Sequence, residues 1–291
     1  MRRATLPALG TLTLCTTVLA SGCGEDQATF THDVELRFAA LAGGEPLRCG
    51  ESYSVGDGNF EYRGLRFFIS DVTIGSGTER QSLMLDDDGQ WQDGRVALLD
   101  FEDGASECAL GTTETRAVVQ GQLEVPASDG DPGEAPTRGL AFTLGVPFEV
   151  NHQDVAQATG PVSLTSMFWN WQGGYKFLRL DGFAGGGPYN VHLGSTGCDG
   201  GPMGGVTACM NPNRVRVELP DFSSGEVVLL DIGALLESAP LSNTEMTPPG
   251  CMSAPNDPEC GAVFSNFGLS YGGSEAGDQR IFSRMGPNAL P

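Results

Sequence analysis

The chain alternates before it does anything else. Val34, Leu36 and Phe38 fall on one side of an extended segment, and Glu35 and Arg37 fall on the other. Period-two alternation of this kind marks a half-buried strand. Similar segments recur at Leu65–Ile74, Arg95–Phe101, Ala117–Val125, Leu140–Val146, Tyr175–Asp181, Tyr189–Leu193, Arg214–Leu219 and Val227–Ile232. Turn-forming residues separate most of them, and Asp86-Asp87-Asp88-Gly89 reads as a tight turn ahead of Trp91. Only Ile232–Glu237 and Ala262–Leu269 suggest short helices, while Asp129–Arg138 and Leu241–Pro258 read as loops. Short, regularly spaced strands predict an all-β fold, an antiparallel sandwich or barrel-like single domain with disulfide-stapled loops. No repeat or linker divides the chain.

The first residues follow a different pattern. Arg2 and Arg3 precede an apolar run from Leu6 to Ala20. That run is shorter than the roughly 20 residues that span a bilayer, so residues 1–22 are expected to be a secretory signal. Leu19-Ala20-Ser21-Gly22-Cys23 has the form of a lipobox, which would make Cys23 a lipid-modified first residue. A tether over residues 23–32 and one domain over 33–291 follow. The expected location is periplasmic or outer-membrane-anchored, with membrane contact only through the lipid. Ordinary cleavage near the same point is the alternative.

Six cysteines then remain, and an even number in an exported chain argues for disulfides. Six allow 15 pairings. Spacing suggests Cys198–Cys209 and Cys251–Cys260, with Cys49–Cys108 by elimination. The formal charge of −21 excludes nucleic acid as a natural partner, because phosphates are repelled.

Candidate chemistry is sparse. The chain has three histidines, His32, His152 and His192. On a strand, His192 and Asn190 oppose the apolar face formed by Tyr189, Val191 and Leu193. The segment Met167-Phe168-Trp169-Asn170-Trp171-Gln172-Gly173-Gly174-Tyr175-Lys176 holds two of the three tryptophans and the single lysine. From the residues alone, a surface histidine and an aromatic core strand account for these features equally well. No nucleophile-elbow, P-loop or zinc-protease motif occurs, so no enzyme is expected.

Taken in order, several segments resemble one family. They are Arg66–Val72, Val96–Gly104, Leu144–His152, Met167–Lys176, His192–Cys198, and Gly250–Ser253 with Asp257–Cys260. The family is MbnP, the copper proteins of methanobactin operons, also called metallo-mystery pair four-Cys motif proteins. The resemblance implies an all-β fold, copper binding for storage, uptake or transfer, and a MauG/MbnH-like diheme cytochrome c peroxidase as partner. It further implies that this partner oxidises a tryptophan to kynurenine, whose ketone and aromatic amine join histidine at the metal. Mapped here, the resemblance makes Trp171 the first choice for oxidation and Trp169 the second. His152 and His192 become imidazole ligands, and His32 a third. Two rival functions remain: a structural or adhesive surface lipoprotein without metal, and a hydrolase or oxidase with a copper centre.

Overall fold

The computed structural model describes residues 29–108, 111–127, 136–201, 205–243 and 247–287. The signal segment and Cys23 lie outside them. The fold is mostly β, with about half of the residues in strands and three short helices. It forms a sandwich in which one sheet is curled into a half-barrel.

The smaller sheet runs Phe282–Met285, Val227–Asp231, Thr29–Ala42, Val118–Pro126, Met84–Leu85 in spatial order. Its first strand takes in Thr29–His32, residues that the sequence reading assigns to the tether. Along Val118–Pro126 burial alternates residue by residue, as one wet face and one core face require. The larger sheet runs Val215–Ser223, Arg138–Leu144, Gly58–Ile74, Gly174–Ala184, Gly187–Gly194, Gly250–Cys251, and Val96–Asp100 also pairs with Gly58–Ile74.

Phe38 on the small sheet meets Phe67 and Phe142 on the large one, edge to face, with centroids 6.2 and 5.9 Å apart. Such aromatic pairs contribute about 0.5–1.5 kcal/mol beyond their buried area. Leu36, Leu123, Leu178, Leu180 and Val191 belong to the same continuous core. The central strand Gly58–Ile74 is longer than its apolar run suggests, and Gly64–Ser70 is buried on both faces. The outer face of the large sheet is therefore covered too.

Two pairings depart from the antiparallel expectation. The first strand lies parallel to Val227–Asp231, and Gly187–Gly194 lies parallel to Gly250–Cys251. Parallel partners need long crossovers, and both pairs are joined by long excursions of chain. A second unanticipated element is the twisted ribbon Thr196–Gly201 with Gly205–Asn211. Its glycine-rich strands carry little apolar periodicity. The structure joins Cys49 to Cys108, Cys198 to Cys209, and Cys251 to Cys260.

Candidate metal centre

His192 lies on the strand Gly187–Gly194, with Tyr189, Val191 and Leu193 turned into the core. The antiparallel register sets Arg179 opposite His192 and Asp181 opposite Asn190. Asp181 reaches diagonally to His192, and Nε2 and Oδ1 are 2.7 Å apart. Burial pushes the Asp181 carboxyl up, but the His192 bond and the charge of Arg179 outweigh it and hold the group below its ordinary range. An ionised carboxylate accepts the Nε2 proton, so the neutral ring keeps its lone pair on Nδ1. Burial lowers the imidazole itself despite Asp181, so neutral is its favoured form. The loop closed by Cys251–Cys260 pins this strand: Ser253 Oγ donates to the His192 carbonyl at 2.8 Å and accepts from the Gly194 amide at 3.2 Å.

Trp169 stands beside this imidazole. It occupies the short strand Phe168–Asn170, which folds back on Gly174–Ala184 through a tight turn. Asn170 Oδ1 closes that turn by accepting from the amides of Gln172 and Gly173 at 2.9 and 2.7 Å. Gly174 has φ +76°, and a Cβ there would sit 2.3 Å from the Asn151 carbonyl oxygen. Only glycine fits. The Trp169 ring lies edge-on to His192, with centroids 6.4 Å apart and an interplanar angle of 89°. It passes over Gly194, where a Cβ would come within 3.1 Å of the indole. Trp171, two residues on, is 45% exposed.

Behind Asp181 runs a buried chain of charge. Arg179 pairs with Asp181 and, at 3.2 Å, with Glu102. Glu102 meets Arg66 at 3.3 Å, and Arg66 Nε lies 2.9 Å from Asp100. Arg66, Asp100 and Glu102 are at most 2% exposed. Ser166 ties in the covering loop, accepting from Arg66 Nη1 at 3.1 Å through its hydroxyl and from Lys176 Nζ at 2.9 Å through its carbonyl. Beside burial, the charges of Lys176 and Arg179 work against protonation of His192, and only Asp181 favours it. Arg66, Asp100, Glu102, Arg179 and Asp181 were not singled out from the sequence as functional. The signal available was a charged residue inside an apolar strand run, as Arg66 is within Leu65–Ile74.

His152 caps the four-residue helix Phe148–Asn151, with its ring 4.7 Å from that of Phe148. Nε2 lies 3.1 Å from Asn151 Nδ2 and 3.4 Å from Cys209 Sγ. Nδ1 is buried with no hydrogen-bond partner. Burial lowers this imidazole as well. Asn151 links it to the tryptophan turn, donating to the Gly173 carbonyl at 3.0 Å and accepting from the Tyr175 amide at 2.8 Å. His192 and His152 thus both reach this segment: one touches Trp169, and the other touches the turn through Asn151.

A family model described as MbnP matches residues 31–253. The chain belongs to the MbnP family. The solved structure of MbnP from Methylosinus trichosporium is similar, with a TM-score of 0.72 and 29% identity over 88% of this chain and 98% of that one. No curated protein matches the chain at a significant level.

Within this MbnP-family chain the remaining candidates lie elsewhere. His32 is on the smaller sheet, opposite Leu123, in a cleft that Ile74 also lines. Ile74 is eight residues along the central strand from Arg66, which faces Arg179, a run of roughly 25 Å at about 3.3 Å per residue. His32 is therefore not brought to the His192 group. Trp91 is half-buried in its own turn, where Asp88 Oδ1 accepts from the amides of Gln90, Trp91 and Gln92.

Proposed function

We propose that this protein is an exported copper-binding protein, not an enzyme, in which Trp169 is oxidised to kynurenine by a MauG/MbnH-like diheme cytochrome c peroxidase. His192 and His152 supply imidazole ligands, and the protein stores copper, takes it up or hands it on. MbnP-family membership supports the methanobactin association. A lipid anchor at Cys23 would hold the protein at the outer membrane.

One observation carries the reading: the Trp169 indole stands edge-on to His192, whose Nε2 is held by Asp181. An imidazole fixed by a carboxylate, with its other nitrogen left as a lone pair, is the usual arrangement of a histidine metal ligand. Burial favours the neutral form of His152 too, and its Nε2, which accepts from Asn151 Nδ2 at 3.1 Å, keeps a lone pair, so a second imidazole stands beside the same turn. Neutral imidazoles with an aromatic amine suit copper. The same contact favours Trp169 over Trp171, because Trp169 stands against His192 whereas Trp171 is largely exposed. When bound, kynurenine would add a ketone and an amine to the ligand set.

The test is peptide mass mapping of protein co-expressed with the diheme partner against protein expressed alone. The expected result is a gain of one oxygen and loss of one carbon on Trp169, with copper bound only by the modified form. An unmodified Trp169 beside an active partner, or modification of Trp171, overturns the assignment. A modified protein whose copper binding survives His192→Ala overturns the ligand set.

A further inference from the structure

The contact between His152 and the Cys198–Cys209 disulfide is not used by the reading above. The ring nitrogen of His152 and the two sulfurs all lie within 4.8 Å of one another, and Nε2 already approaches Cys209 Sγ to 3.4 Å. Metal–thiolate and metal–imidazole bonds of about 2.3 and 2.0 Å place neighbouring ligand atoms roughly 3.5–4 Å apart. Opening the sulfur–sulfur bond is therefore the main displacement needed to make a two-sulfur, one-nitrogen site.

The ribbon has its own means of staying in place without that bond. Cys198 and Cys209 are directly paired in its register. Thr207 Oγ1 and the Ala208 amide donate to Asp199 Oδ1 at 2.8 and 2.7 Å, and Asn211 Nδ2 donates to Thr196 Oγ1 at 3.3 Å. His152 is held independently, by the Phe148 ring and the short helix. Access also separates this disulfide from the other two. Both of its cysteines are half-exposed, whereas Cys251 and Cys260 are at most 1% exposed and the half-exposed Cys49 is bonded to a Cys108 that is 1% exposed.

We propose that Cys198, Cys209 and His152 form a second, redox-gated site that binds a soft monovalent ion, copper(I), when the Cys198–Cys209 bond is reduced. A dithiol reductant supplies the two electrons. It is itself oxidised to a disulfide, and its two protons pass to Cys198 and Cys209. Copper(I) then displaces both thiol protons and takes two thiolates and the imidazole, the soft donor set that selects this ion. The site opens under reducing conditions, when copper(I) is the stable form, and closes on oxidation.

The experiment uses the full chain carrying His192→Ala, expressed without the diheme partner, so that the site of the proposed function keeps neither His192 nor a kynurenine and only His152 is common to both. The protein is treated with a water-soluble phosphine without denaturant. The phosphine takes oxygen from water and leaves two thiols, which are counted by alkylation and mass mapping. Copper(I) is then titrated against a chromophoric chelator. The expected result is alkylation, among the six disulfide cysteines, of Cys198 and Cys209 alone, one more copper(I) bound by the reduced form than by the oxidised form, and a thiolate-to-copper ultraviolet band that only the reduced form shows. Adding His152→Ala weakens binding about tenfold or more, and Cys198→Ser with Cys209→Ser abolishes it. The serine double variant, by circular dichroism, also reports whether the fold tolerates loss of this bond. Equal copper uptake by the two forms, affinity unchanged by His152→Ala, or unfolding on reduction each overturns the proposal.

Discussion

A carboxylate behind an imidazole decides which ring nitrogen faces outward. Asp181→Asn keeps the shape but lets Nε2 lose its proton preference, and it is expected to weaken copper binding by the modified protein about 10–100-fold with little change in fold. Calorimetric or competition titration checks this. Arg66 is a different case, because Asp100 and Glu102 are buried with it. Arg66→Met strands two carboxylates and should cost about 3–5 kcal/mol in urea unfolding. Acid tests the histidines. Burial holds His152 and His192 below the ordinary value of 6.5, so the unfolded chain binds protons that the folded chain refuses. The stability linked to them is complete above about pH 6.5 and is lost as pH falls through the folded values. His192→Gln should therefore lose less stability than the parent between pH 7.5 and pH 5.5 when both are unfolded in urea. Comparing the two cancels the buried carboxyls, whose raised values act in the opposite direction. The side of the strand that His192 occupies was legible, because alternation with Tyr189, Val191 and Leu193 suffices. Its partners were not. Asp181 is 11 residues away and Arg179 meets Glu102 across 77, separations that only the sheet register closes.

At the scale of elements, the strands were legible wherever one face is dry and the other wet. Val118–Pro126 alternates throughout and Val215–Ser223 as far as Pro220, where its register slips, and both were anticipated within a few residues. Periodicity does not encode direction, so the two parallel pairings were not foreseen. Nor does it detect a ribbon such as Thr196–Asn211, whose sides are both largely wet. The tryptophan turn depends on a position that periodicity also misses. Gly174→Ala forces a Cβ into the Asn151 carbonyl at a φ that L-residues avoid. It should separate Asn151 from the turn and so displace both His152 and Trp169. The expected readout is a lower melting temperature together with lost copper binding. Gly273→Ala provides the contrast, because its positive φ carries the same backbone strain but nothing lies within 4 Å of its Cβ.

For the whole molecule, the disulfides divide the labour by loop length. The Cys49–Cys108 bond closes a separation of 59 residues and Cys198–Cys209 one of 11. By the chain-entropy relation the first contributes about 4 kcal/mol and the second about 3. Paired serine variants unfolded in urea should fall in that order. The order of the sheets has a different consequence. The first strand has Val118–Pro126 on one side and Val227–Asp231 on the other. Beyond the short pairing of Leu41 and Ala42 with Pro46 and Glu45, a nascent chain therefore emerges with a long extended segment whose next neighbour is synthesised some ninety residues later and whose last is synthesised about a hundred residues after that. Until then its backbone groups are open to any passing strand. The protein can close its smaller sheet only after most of the chain has been delivered, which makes it a late and slow folder and a natural client for whatever holds extended chains apart in its compartment.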